Sequence, residues 1–154
     1  MAVIRKSSAR GGIIHIINEV LAIPISAVLE ITAAGLEYFI SILSGSGYLS
    51  TANTYVNQVL DLSDVTYFFP NPEAALANTS ALAQTSSPAD QQTLFEYHVI
   101  PGFVACSPLL TNEMQLTTAQ GTNVTVTVQD GDTYINSAKI IAFDYIVANG
   151  VFHV

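Results

Sequence analysis

The spacing of apolar residues changes along this chain, from a period of roughly 3.6 in its first part to two in its second. Ser26, just after the break at Pro24, is placed to cap a helix, because its hydroxyl can accept a bond from a first-turn amide. Gly35 punctuates that helix, and Leu36, Phe39, Ile40 and Leu43 then recur at i, i+3, i+4 and i+7. Ser44-Gly45-Ser46-Gly47 ends the stripe, and Ala52, Tyr55, Val56, Val59 and Leu60 form a second one. The N-terminal third is therefore expected to be mostly helical, after an opening strand carried by Ile13, Ile14, Ile16 and Ile17.

Residues 65–69 are β-branched and aromatic and stop at Pro70, which predicts a strand. Asn71-Pro72-Glu73 reads as cap, first-turn proline and first-turn carboxylate of a helix reaching about Gln84. Residues 85–90 read as a polar turn around Pro88, 91–97 as a helix, and Pro101-Gly102 closes the short segment Val99-Ile100. From Met114 onward the alternation is strict. Val124, Val126 and Val128 face one way, and Asn123, Thr125 and Thr127 the other. Asp130-Gly131 supplies a tight hairpin turn before 133–135, and residues 138–145 and 150–154 read as two further strands. Helices first and antiparallel strands later predict an α+β fold.

Composition narrows the partners. At 154 residues with half of them hydrophobic, the chain can bury the core of one ordinary domain. Arg5, Lys6 and Arg10 precede residue 11, so Lys139 alone stands against twelve carboxylates in 11–154, a formal charge of about −11. Nucleic acid, which is bound through clustered cations, is not an expected partner. Cys106, the single cysteine, excludes an internal disulfide and reads as a small buried hydrophobe. The first residues lack a signal-peptide pattern, and 20–36 contains Pro24 and Glu30 and is too short to span a bilayer. Any membrane anchoring is expected outside this stretch.

Three stretches in order resemble the fasciclin (FAS1) domain. They are Thr66-Tyr67-Phe68-Phe69-Pro70-Asn71-Pro72-Glu73-Ala74-Ala75, Tyr97-His98-Val99-Ile100-Pro101-Gly102 and Asn149-Gly150-Val151-Phe152-His153-Val154. Ala33-Ala34-Gly35-Leu36 resembles the family's early helix region. Phe69 and Pro72 depart from the family pattern, and the closing block stops at Val154. A fuller copy of that block, Gly12-Ile13-Ile14-His15-Ile16-Ile17, lies near the start, with Gly12 and His15 matching Gly150 and His153. Residues 1–22 are accordingly expected to be the tail of a preceding repeat or a linker, and 23–154 the domain itself. The resemblance implies a wedge-shaped β-sandwich flanked by helices, on a secreted or surface-anchored protein that makes adhesive contacts with a cell-surface or matrix protein or glycan.

Tyr97 and His98 are the candidate contact residues on that resemblance, with Pro70, Pro101, Gly102, Asn149, Gly150 and His153 as structural positions. His98 also reads, from its apolar surroundings alone, as a buried imidazole bonded to backbone or to a carboxylate. His15, His98 and His153 lack the paired spacing of a zinc helix motif, and no Gly-x-Ser-x-Gly elbow is present, so neither a metal, a cofactor nor an enzyme is expected. Asp130-Gly131-Asp132 lacks the further oxygen ligands of a calcium loop. Asn78 and Asn123 stand in the two sequons and are candidate glycan acceptors. The alternatives to adhesion are a binding module for a polysaccharide or small apolar ligand, and a structural unit that self-associates through the duplicated terminal strands.

Overall fold

The computed structural model describes residues 3–9, 12–17, 20–36, 62–71 and 87–154. The expected helices over 36–43 and 52–60 and from 71 to 84 lie outside these, apart from Leu36 and Asn71 at their margins. Strands β1 (Val3–Ala9) and β2 (Gly12–Ile17) form an antiparallel hairpin, so the opening strand has a partner that its sequence did not announce. Helix α1 (Ala27–Ala33) starts as expected, with Ser26 Oγ accepting from the Leu29 amide at 3.4 Å. No helix among the described residues is long and apolar enough to cross a membrane.

Strand β3 (Val65–Phe68) ends before Pro70. Helix α2 runs over Pro88–Tyr97, three residues longer at its start than the expected 91–97. Pro88 does not break the chain there. It takes the first helical position, where its missing N–H costs nothing, behind a reciprocal cap between Ser87 and Asp90. Next come β4 (Val99–Ile100), a single 3-10 turn at Ser107–Leu109, β5 (Gln115–Thr117), β6 (Asn123–Gln129) and β7 (Asp132–Ile135). The β6–β7 turn is the expected one, with Asp130 and Gly131 both at positive φ. The expected strand over 138–145 is instead two, β8 (Ala138–Lys139) and β9 (Tyr145–Val147), separated by a bend in which Asp144 adopts φ 62°. Strand β10 (Gly150–His153) closes the fold.

The strands make two four-stranded sheets, ordered β4-β3-β10-β9 and β5-β6-β7-β8. Strand β10 runs parallel to β3 and antiparallel to β9, so alternate residues of both central strands share a face. One face carries Val65, Tyr67, Phe69 and Phe152, packed with Ala27, Leu36 and Phe95 from the helical side. Phe152 stacks on Tyr145 at 4.5 Å between ring centres and packs against Phe69 at 5.1 Å. The other face meets the second sheet, where Ile100, with Phe68 against it, packs on Leu116, Val124, Val126 and Ile140. The result is a β-sandwich with helices on its outer side. Val124 and Val126 are buried as the alternation requires, but Val128 is 40% exposed because β6 has by then run past the sandwich into its hairpin.

Gly150 is the tightest point of the first sheet. A Cβ there would fall 1.8 Å from the carbonyl oxygen of Val65, its partner on β3. The obstacle is backbone, which cannot swing aside. Gly150→Ala is therefore expected to destabilise the protein by about 3 kcal/mol or more, since overpacked sites of this kind force the backbone to shift. Urea unfolding with an unchanged slope and a lowered midpoint checks it.

Candidate functional site

The site is built around the C-terminus of α2. Helix end groups need outside partners, and His98 supplies one of them: its Nδ1–H donates to the carbonyl of Leu94, 2.7 Å away. Its own carbonyl accepts from the Phe68 amide at 2.9 Å, which ties the helix end to β3. Tyr97, 37% exposed, turns the other way, its ring edge-on to the imidazole at 6.1 Å. The Tyr97 hydroxyl accepts from Asn136 Nδ2 at 2.9 Å. Asn136 sits at φ 54° between β7 and β8 and also accepts from the Thr125 amide through Oδ1. The helix end is thus moored to both sheets.

Between these moorings lies an apolar groove of about 370 Å³. Phe68, Phe69, Pro70 and Asn71 form one wall, and Tyr97 and His98 one end. The second sheet supplies Val124, Ile135, Asn136 and Ala138, and the bend after it Ile140 and Ile141. His153 and Val154 also reach the lining. Lys139, also in the lining, makes an exposed ion pair with Asp132 at 2.7 Å. That hydrogen bond to Asp132 is the main reason its pKa is raised.

His153 is the buried counterpart of His98, at 1% exposure. Its Nε2–H donates to the carbonyl of Ala105 at 2.9 Å, and its Nδ1 accepts from the Asp144 amide at 3.3 Å. This assigns the neutral Nε2–H tautomer, because a carbonyl can only accept and an amide can only donate. Phe68 stacks on the ring at 5.6 Å and Phe143 meets it edge-on. The Asp144 carboxylate in turn accepts from the amide and the hydroxyl of Ser107. Thr66, fully buried, completes the clasp: it donates to the Phe103 carbonyl at 2.6 Å and accepts from the Ala105 amide at 2.7 Å. Cys106 lies in the clasped loop and is half-buried, short of the fully buried position expected of it.

Burial lowers the pKa of His153 below the ordinary 6.5, against upward pulls from its Ala105 bond and from Asp144. Burial lowers that of His98 as well, outweighing its bond to Leu94. None of the described lining residues is Asp, Glu, Cys, Ser or Thr. It offers shape and apolar surface, with Asn71 and Asn136 among its polar lining residues. Among the described residues no group of three histidine, cysteine or acidic side chains is placed to hold a metal ion.

Of the residues singled out by the sequence, the fold brings Pro70, Tyr97, His98 and His153 to the groove. Pro101 and Gly102 are exposed in the turn after β4, with Gly102 at φ +72°. Asn149 and Gly150 lie at the far end of β10, where Asn149 Nδ2 bonds the Leu62 carbonyl and the Tyr67 hydroxyl. Asn123 is exposed on β6, its Oδ1 accepting from Thr117 at 2.9 Å, and Asn78 lies outside the described residues. Asn136, Thr66 and Asp144 were not legible as site residues, since their partners lie on other elements. Lys139 did carry a signal, as the lone cation in a long acidic stretch.

A family model described as Fasciclin domain matches residues 36–154. The chain is 31% identical over 143 residues to a Fasciclin-like arabinogalactan protein of Arthroderma benhamiae, covering 93% of this chain and 32% of that protein. A second protein of that name, from Cercospora beticola, is 24% identical over 92% of this chain and 36% of its own length. The chain thus spans about a third of the length of these relatives. Among solved structures, the FAS1 domain pair of the insect cell adhesion molecule Fasciclin I superposes with a TM-score of 0.63 at 19% identity, over 99% of this chain and 57% of that one.

The two lowered imidazoles make a pH prediction. Unfolded histidines take up protons near 6.5 and these folded ones only at lower pH. The stability they contribute is complete above about 6.5 and is lost as the pH falls from there through their folded values. The limiting slope is about 1.4 kcal/mol per pH unit for each ring. His153→Phe should cost about 2–4 kcal/mol at pH 7.5, because the Ala105 carbonyl and Asp144 amide lose their partner. The same variant should show a shallower loss between pH 6.5 and 5. Urea midpoints across that range, for both proteins, test the two statements together.

Proposed function

The chain belongs to the fasciclin domain family, and from that we propose that it is a non-catalytic adhesion or surface-interaction module working outside the cell or at its surface. The observation that carries this reading is the placement of Tyr97 and His98 at the end of an open apolar groove, instead of both being sealed in the core. An adhesive contact needs exposed, pre-formed apolar surface with a few polar groups beside it, and Asn71 and Asn136 are such groups in the lining. The family supports the rest: two relatives are named as fasciclin-like arabinogalactan proteins, and the superposing insect protein is a cell adhesion molecule. The partner is a cell-surface or matrix protein or glycan. Asn123, exposed at the start of β6, is a glycan acceptor on this reading.

Residues 1–22 are the tail of a preceding repeat on the same reading. Their Gly12-to-Ile17 spacing copies the closing strand, and the family match begins only at residue 36. Removing 1–22 should then leave the melting temperature within about 2 °C, a shift equivalent to at most about 1 kcal/mol for a domain of this size. Sedimentation of both forms reports whether that hairpin also joins chains; monomers in both exclude self-association.

Attachment itself is tested with Ala138→Trp. Ala138 is exposed on the short edge strand β8 and lines the groove, so a tryptophan fills the groove without entering the core. Binding of immobilised protein to cells or wall material should fall at least fivefold at unchanged melting temperature. Undiminished attachment would move the contact to another face.

A further inference from the structure

We propose that Asp144 is a proton-operated switch: neutral His153 holds its backbone amide, charged His153 takes its carboxylate instead, and the exchange frees Ser107 and the turn that follows. The neutral ring accepts from the Asp144 amide through Nδ1, while the Asp144 carboxylate accepts from the amide and hydroxyl of Ser107. A proton on Nδ1 turns that acceptor into a donor, which the amide cannot meet and a carboxylate can. Both groups belong to one residue, so a turn of the Asp144 backbone exchanges them. That backbone stands at φ 62°, a region non-glycine residues seldom occupy, and leaving it is no obstacle. His98 carries no such device at Nδ1, which already donates to the Leu94 carbonyl and goes on doing so when charged.

The release stays local because little else depends on the ring's Nδ1. Val151 and Phe152 keep β10 between β3 and β9, and the His153 carbonyl still accepts from the Phe69 amide at 2.8 Å. Thr66 still bonds Phe103 and Ala105, and Nε2 still donates to Ala105. What loses its hold is Ser107–Leu109, a 3-10 turn with none of its residues buried. Among the described groups, Cys106 follows Ala105 in the loop, His98 ends α2, and Lys139 pairs with Asp132 on β7. Asp144 alone acts on His153 by charge. A carboxylate ending the chain at Val154 titrates at about 3.5, below the range that matters here. Because the released state holds its proton more tightly than the closed one, release grows as the pH falls below about 6.5. Ile140, Ile141, His153 and Val154 line the groove, so its wall moves with the switch.

Hydrogen exchange of the full chain tests the switch without reference to the groove. Corrected for intrinsic rates, the Ser107 amide should exchange about tenfold faster at pH 5.5 than at 7.5. It should do so independently of low urea, since a local opening exposes little surface. Asp144→Asn keeps the amide but not the charge, and should move the onset of release down by about one pH unit. His153→Gln, which offers an acceptor and a donor that do not titrate, should remove the response. Ser107 exchange that ignores pH, or that is as urea-sensitive as Val126 in β6, overturns the inference. So does an onset unmoved in Asp144→Asn, which decides alone if His153→Gln does not fold. An effect on attachment rests in addition on the reading of the groove as the contact face. Attachment should then weaken in acid with the same onset, shifted likewise in Asp144→Asn. If Ser107 responds and attachment does not, the switch holds and the groove is not the contact face.

Discussion

One buried imidazole lets the two sheets and the loop between them meet with their polar atoms paired. His153 stands on β10, the central strand formed last in sequence, and faces the second sheet. A hydrophobic residue there would fill the space but leave the Ala105 carbonyl and the Asp144 amide without a partner. A charged histidine would present a donor to the Asp144 amide. Only the neutral ring satisfies both, and burial among Phe68 and Phe143 keeps it neutral. Thr66 does on β3 what His153 does on β10: it both donates to and accepts from the same loop. The loop from Phe103 to Ser107 is thereby stitched to neighbouring strands whose residues lie more than 80 positions apart in the chain.

That separation has a consequence for assembly. Strand β3 lies between β4 and β10, and its parallel partner is the end of the described chain. Until β10 arrives, Tyr67 lacks the cover of Phe152, its register partner. Loop closure over so long a connection costs entropy before the contact returns anything. The aromatic packing of Phe152 on Tyr145 and Phe69, together with the close backbone approach at Gly150, concentrates much of that return in one short strand.

What was legible in the sequence divides along the same line between local and distant causes. The period-two run of β6, the Asp130-Gly131 turn and the Ser26 cap are written in neighbouring residues, and each stands as expected. The start of α2 was also local: Ser87 and Asp90 flank Pro88, yet proline read as a breaker hides its use as a first-turn residue. The break between β8 and β9 was not local. Residues 138–145 are apolar enough to pass for one strand, and what bends them is Asp144 reaching Ser107, 37 positions away. The candidate site shows the same division. Tyr97 and His98 were marked by a motif, whereas the groove beside them needs Phe69, Asn136 and Ile141 from three separate elements, and no spacing in the chain brings those together.

The groove stays open because its walls are committed elsewhere. Tyr97 is held by Asn136, which is itself bonded to Thr125 of β6, so the helix end cannot slide inward without breaking that link. On the opposite side the amides of Ile141 and Ala142 donate to the Val154 carbonyl, and the Val154 amide returns a bond to Ala142. Collapse would exchange several backbone bonds for apolar contact. Each such bond contributes about 1 kcal/mol net but costs more when a buried partner is left unpaired, whereas closing over apolar surface gains only about 25 cal/mol per Å². The polar clasp thus outweighs the hydrophobic pressure to close. An occupant entering such a groove loses its own freedom but orders little of the protein, and that pre-organisation is what turns a modest apolar surface into a usable binding site.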